Sequence, residues 1–184
     1  LLISLIDDKN FTVLDFFSGS ASSADAVMQL NAEDGGNRKF ICVQLPESCD
    51  ESSEAFKAGY KNICEIGKER IRRAGKLVTD EAGMMAQHLD TGFRVLKLDS
   101  SNMKDVYYSP ADYEMSMFDT LADNIKEDRT PEDLLFQVML DLGVLLSSKI
   151  EESTIAGKKV FNVADGFLMA CFDENVSDET ITAV

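Results

Sequence analysis

Residues 13–31 read Val-Leu-Asp-Phe-Phe-Ser-Gly-Ser-Ala-Ser-Ser-Ala-Asp-Ala-Val-Met-Gln-Leu-Asn. An apolar run ends at Asp15, passes through small residues around Gly19, and enters a helix-forming segment. Open α/β domains use this order of strand, short loop and helix to bring backbone close to a nucleotide-like ligand. Gly19 has no Cβ, so the chain can adopt positive φ there and approach a ligand closely. The helix start offers free N–H groups and a positive dipole end, which suit a carboxylate or a phosphate. Asp15 can accept hydrogen bonds at the strand end. A plain tight strand-to-helix turn fits the same residues, because short glycine motifs recur without any ligand.

The neighbouring residues extend the pattern. Phe11–Phe17 is rich in aromatic and branched residues and lacks clean alternation, as expected of a strand buried on both faces of a parallel sheet. The spacing predicts a helix over 21–31, with Ala24, Val27, Met28 and Leu30 near its packed side. Asp34-Gly35-Gly36-Asn37 is a turn cluster. Lys39–Leu45 reads as a second buried strand, stopped by Pro46. Together these make a βαβ unit. Dinucleotide sites carry an acid near the end of that second strand; here the position is Gln44. Its amide can bind a ribose edge or satisfy nearby backbone.

Residues 46–61 read as irregular, with a short helix near Glu51–Lys57. Asn62-Ile63-Cys64-Glu65 has the form of a capping box. It opens a helix expected to reach about Ala74, with Gly75 just past its end. Arg70, Arg72, Arg73 and Lys76 then suit a helix C-terminus; phosphate contact is the alternative. Residues 77–92 read as a polar loop or linker. Gly92–Asp99 alternates like a half-exposed strand. Pro131-Glu132-Asp133 starts another helix. Leu134, Leu135, Val138, Met139, Leu142, Leu145 and Leu146 follow at helical spacing, as a packing stripe. Lys159–Val163, the turn Ala164-Asp165-Gly166, and Phe167–Phe172 form a hairpin.

The chain has 184 residues, 45% of them apolar, enough for one ordinary domain or two small ones. It carries 33 acidic against 18 basic residues, a formal charge of −15. A free-standing nucleic-acid-binding domain shows the opposite balance, so a DNA footprint has to come largely from elsewhere. The four cysteines form no Cys-x-x-Cys pair and His88 is the only histidine, so no metal site is expected. Reduced, core-type cysteines point to a cytoplasmic protein, and no targeting or membrane segment is read. The abrupt start at Leu1 and the end at Val184 read as those of a fragment.

Asp15-Phe16-Phe17-Ser18-Gly19-Ser20-Ala21 resembles the S-adenosylmethionine loop of amino-group DNA methyltransferases. Asn31 through Glu47 is similar to the segment that follows it in modification subunits of type III restriction–modification systems. Ala58–Ile63, Ile66–Gly75 and Gly92–Asn102 are similar too, and the resemblance runs through most of the chain. It implies a fold class of α/β: a partial Rossmann-like methyltransferase fold, then a small α+β C-terminal domain. Residues 1–76 would belong to the cofactor domain, 77–105 would link, and 106–184 would form the C-terminal domain.

The resemblance also implies an adenine-N6 methyltransferase acting on DNA with S-adenosylmethionine. Asp15, Phe17 and Gly19 would shape the methionine end of the cofactor site. Gln44 would sit by the ribose, and Phe16, Ser18 and Ser20 would line the loop. The family loop commonly has a second Gly where this chain has Ala21. The family's catalytic motif needs two adjacent prolines, and Pro46, Pro110 and Pro131 are isolated, so no catalytic residue is assigned. In the family that motif and the target-recognition domain lie before the glycine loop. DNA, a restriction subunit and a second modification subunit are the implied partners.

Two other readings compete. A subunit-docking or dimerisation module with an idle cofactor loop suits the acidic charge and the Leu/Met stripe. A dinucleotide oxidoreductase would need an acid at Gln44 and a full Gly-x-Gly-x-x-Gly.

Overall fold

A computed structural model of the chain describes residues 2–83, 88–105 and 124–183. It contains two compact units, residues 1–96 and 97–184.

The first unit is built on β1 (Thr12–Asp15), α1 (Ser22–Asp34) and β2 (Lys39–Cys42). A 3-10 turn over Leu2–Leu5 precedes them. β1 and β2 are parallel, with Thr12 opposite Lys39 and Asp15 opposite Cys42. The helix starts one residue after Ala21 and outlasts the expected 21–31 by three residues, because Gly35 in the left-handed region closes it at Asp34. The α1–β2 turn is fixed by Arg38. Its guanidinium makes two 2.9 Å bonds to the Asp34 carboxylate and lies over the Phe11 ring. The Asn31 side chain adds bonds to the Arg38 N–H and carbonyl.

The short helix α2 (Glu54–Lys57) begins at Ser53, whose hydroxyl accepts the Phe56 N–H. Helix α3 (Ile63–Ala82) starts at the expected Asn62, whose side chain accepts the Glu65 N–H at 3.0 Å. It does not stop near Ala74. Gly75 lies inside it, and the helix runs on through residues expected to be linker. Gly75 serves close packing instead: a Cβ there would stand 3.1 Å from the Thr91 Cβ. Ala21, Ala24, Met28, Ile71, Ala74 and Val78 form the core between α1 and α3, with Phe40, Cys42, Leu89 and Phe93 against it.

Only one face of the two-stranded sheet is covered within the described residues. Leu14 and Ile41, paired in register on the other face, are 50% and 52% exposed. The apolar composition that predicts burial on both faces is real, but the described residues supply one covering layer. Gly92–Asp99 forms no strand. Alternation marks a strand only where an edge is present to pair with it, and no described residue pairs with this segment.

The second unit holds α4 (Pro131–Asp141), the antiparallel strands β3 (Ile150–Ile155), β4 (Lys158–Val163) and β5 (Leu168–Ala170), and α5 (Asp178–Ala183). Thr130 and Asp133 form a full capping box ahead of Pro131. Leu135, Met139, Phe161 and Val163 are the buried core. The leucine stripe is shorter than its spacing implies. Gly143 at φ 69° follows the helix end, so Leu142 and Leu145 fall beyond it and are 55% and 73% exposed. The expected hairpin is β4–β5, with Val163 opposite Leu168. β3 is an additional strand whose polar Glu-Glu-Ser-Thr centre hides its sheet role. Residues 106–123, the start of the expected C-terminal domain and the site of Pro110, lie outside the described residues, as do 84–87 of the expected linker. Among the described residues, no helix is long and apolar enough to cross a membrane.

Candidate functional site

The loop 15–21 leaves β1 at its C-terminal end and is held by bonds to β2 and α1. The Val43 N–H donates to the Asp15 carbonyl at 2.8 Å, continuing the parallel ladder one step beyond the strands. The Ser18 N–H then donates to the Val43 carbonyl at 3.3 Å. The Ser18 side chain is buried and its hydroxyl also points at that carbonyl, 3.4 Å away. The turn closes through the Ala21 N–H on the Ser18 carbonyl at 2.7 Å.

Asp15 spends both carboxylate oxygens on this frame. One accepts the Phe17 N–H at 3.2 Å, and the other accepts the Ser23 hydroxyl at 2.5 Å. The acid thus fixes the start of the loop to the first turn of α1. Gln44 acts from the other side: its Oε1 accepts the Gly19 N–H at 2.8 Å, and its Nε2 donates to the Leu45 carbonyl at 3.2 Å. Asp15, Ser18, Gly19 and Gln44 are therefore brought together. Ser20 is half-buried beside them, while Phe16 and Phe17 are exposed, Phe17 to 90%.

Two backbone conformations define the loop's shape. Gly19 has φ 52°, and open space surrounds the position a Cβ would take. Ala21 also lies in the left-handed region, at φ 61° and ψ 38°, as the N-cap residue of α1. Glycine is the natural occupant of such a position, and an L-residue there stores roughly 1 kcal/mol of strain. The Ala21 methyl is buried in the α1–α3 core, which offsets part of that cost. Alanine cannot cap with its side chain, so the first-turn N–H groups of α1 are not covered from Ala21.

Helix α3 supports the loop from behind, which the sequence reading did not identify. A Cβ at Gly67 would lie 3.4 Å from the Gly19 carbonyl oxygen and 3.5 Å from the Ala21 Cβ. The helix backbone comes close enough that a single methyl would just reach ordinary contact with the loop, and a larger side chain would not fit. The signal was present as a glycine in a helix interior, where it costs up to about 1 kcal/mol against alanine. Cys64, one turn earlier, points its thiol at the Gln44 carbonyl, 3.5 Å away. Cys42 lies under the loop beside Ser23. Burial pushes the Cys42 thiol up, so it stays protonated at neutral pH and acts as packing.

The cations near the middle of α3 also change their meaning. The helix continues past them to Ala82, so they do not sit at a negative dipole end. Arg70 faces Asp25 at 3.7 Å, and Arg73 bonds Glu69 at 2.7 Å.

No protein-family model matches the chain. Individual relatives do. The EcoP15I Mod subunit of Escherichia coli, from a type III restriction-modification enzyme, is 34% identical over 171 residues, which is 91% of this chain and 24% of that protein. The chain is similar to Mod subunits of type III restriction-modification enzymes. The StyLTI Mod subunit of Salmonella typhimurium is 44% identical over 93 residues, half of this chain and 14% of that protein. The type II methyltransferase M.KpnI of Klebsiella pneumoniae is 33% identical over 70 residues, 38% of this chain and 17% of that protein. The chain thus spans between about one seventh and one quarter of the length of these relatives.

Proposed function

We propose that this chain is part of a type III modification subunit, a site-specific adenine-N6 DNA methyltransferase. In this reading the loop Asp15–Ala21 and Gln44 form one wall of the S-adenosylmethionine site in a Rossmann-like domain. The observation that carries it is the pair of left-handed residues, Gly19 and Ala21, at the C-terminal end of a parallel strand pair. That geometry leaves open space at Gly19, two residues before a helix start without a side-chain cap, a setting for the carboxylate of a methionine moiety. When bound, the cofactor supplies the methyl group.

The residues of this chain have positioning roles. Asp15 holds Phe17 and Ser23 in place. Gln44 holds Gly19, and its free lone pair and second amide hydrogen remain for a ribose hydroxyl. Exposed Phe16 and Phe17 supply apolar cover for the ligand, and Ser18 and Ser20 complete the loop. The unit of residues 1–96 carries the cofactor wall, and the unit of residues 97–184 serves assembly. The chain has no adjacent prolines to form the base-holding motif, so it is inactive alone. DNA, a restriction subunit and a second modification subunit are the partners of the whole protein, which acts in the cytoplasm.

Calorimetry with S-adenosylmethionine on the modification subunit that carries this chain tests the loop. Gly19→Val should abolish binding, because a β-branched residue is strained by about 1–2 kcal/mol at positive φ and fills the open space. Unchanged affinity would show that the loop is not the cofactor wall. A docking role for the second unit is favoured by the exposed Leu140, Leu142 and Leu145. Sedimentation of the chain and of Leu142→Asp tests it: a monomer in both cases argues against docking through this surface.

A further inference from the structure

Charge is unevenly distributed along this acidic chain. Residues 57–76 contain Lys57, Lys61, Lys68, Arg70, Arg72, Arg73 and Lys76 against Glu65 and Glu69 only, in a chain of net charge −15. Most of these cations have acidic neighbours: Lys57 with Glu54, Lys68 with Glu65, Arg70 with Asp25, and Arg73 with Glu69. Arg72 and Lys76 are placed differently. They lie four residues apart on α3, and both are exposed. The Arg72 guanidinium lies over the Phe93 ring, 5.7 Å from its centroid, which orients it without neutralising it.

Arg72 and Lys76 line an open cleft of about 460 Å³ with Thr79, Thr91, Gly92 and Phe93. Gly75 forms its floor, where close contact with Thr91 fixes the depth. Asp80 stands at the far end, one turn beyond Lys76. The cleft is therefore cationic toward the N-terminal side of α3 and acidic at its C-terminal limit.

We propose that this cleft is a contact site for the backbone phosphates of duplex DNA, with Arg72 and Lys76 as the phosphate ligands. It lies apart from the loop 15–21 and involves none of its residues. The inference rests on the reading of the protein as one that acts on DNA, but it needs neither cofactor nor chemistry. A guanidinium held against a ring presents a planar fork to a phosphate oxygen pair, and the lysine adds a mobile point charge. Contacts of this kind set position and affinity without reading sequence.

Fluorescence anisotropy of a labelled duplex with the modification subunit that carries this chain, from low to moderate salt, tests the proposal. Each phosphate contact contributes about −0.9 to the slope of log affinity against log salt. Arg72→Ala/Lys76→Ala should flatten that slope by about 2 and weaken binding at low salt, whereas Lys57→Ala should leave both unchanged. Equal slopes for the double variant and the parent would overturn the proposal, as would an equal loss in Lys57→Ala. Inorganic pyrophosphate supplies the second arm. If it binds through Arg72 and Lys76 while the duplex does not, the cleft takes a free anion and the DNA assignment falls. Circular dichroism of the variants confirms that α3 remains folded. S-adenosylmethionine binding by the longer protein is read separately, so failure here leaves the cofactor assignment standing.

Discussion

Gly67 offers a direct way to separate packing from ligand contact. A Cβ at this position would lie 3.4 Å from the Gly19 carbonyl oxygen, 3.5 Å from the Ala21 Cβ and 3.7 Å from the Ser20 carbonyl carbon. These distances are at the edge of ordinary contact, so a single methyl fits with small adjustments. Gly67→Ala should therefore gain up to about 1 kcal/mol from helix propensity, less a small packing cost. Gly67→Leu adds carbons one and two bonds further out, at about 1.5 Å per bond. Those atoms meet the loop backbone, and overpacking of this kind costs about 1–3 kcal/mol. The strain falls on Gly19 and Ala21, both already at positive φ. Urea unfolding of the chain and S-adenosylmethionine calorimetry of the longer protein give the two readouts. Gly67→Ala should match or exceed the parent in stability and keep its affinity, while Gly67→Leu should lose both. If Gly67→Leu unfolds and binds like Gly67→Ala, α3 does not buttress the loop and the account of its shape is wrong.

Other expectations concern the two cores and acid stability. Met139→Ala removes a fully buried side chain from the second unit and should cost about 2–5 kcal/mol in urea unfolding, whereas Leu142→Asp, at an exposed position, should shift stability by about 0.5 kcal/mol or less. A Leu142→Asp cost as large as that of Met139→Ala would mean that the stripe continues into the core. The Arg38 guanidinium holds the Asp34 carboxyl down to about 2, from an ordinary value of 3.8. A depressed carboxyl stabilises the fold above its unfolded value, and that stabilisation is lost as pH falls through the folded one. The stability gap between the parent and Asp34→Asn should therefore be constant above about pH 4 and close toward about pH 2. A gap that persists at the acid end would show that the pair does not act through ionisation.

Much of the first unit was legible because its signals are local. The apolar run to Asp15, the turn cluster at Gly35 and the Asn62 cap each act within a few residues, and each appears in place. The errors arise where a local signal was outweighed by tertiary packing. Gly75 looks like a helix terminator, but α3 continues because the glycine admits Thr91 against the helix. Gly92–Asp99 has strand periodicity, but no strand among the described residues pairs with it. Leu142 and Leu145 keep helical spacing after Gly143 has ended the helix. β3 was hidden because an edge strand exposed on one side carries polar residues that read as loop.

The candidate site shows the same division. Asp15 and Gly19 could be named from the strand–loop–helix order, and Ser18 from the family resemblance. The bond from Gly19 to Gln44 spans 25 residues, and no local pattern announces it. Gly67 was harder still, since its role depends on which loop the helix crosses. The exposed face at Leu14 and Ile41 shows how composition can be right about a residue's preference while the described residues provide cover on one side only.

The central claim is that the loop 15–21 and Gln44 contact S-adenosylmethionine. Ultraviolet crosslinking of radiolabelled cofactor to the modification subunit carrying this chain, followed by peptide mapping, tests it most directly. The account predicts label in the peptide containing Asp15–Ala21, with competition by unlabelled cofactor. Competed label confined to peptides outside both that loop and the Gln44 segment would contradict it.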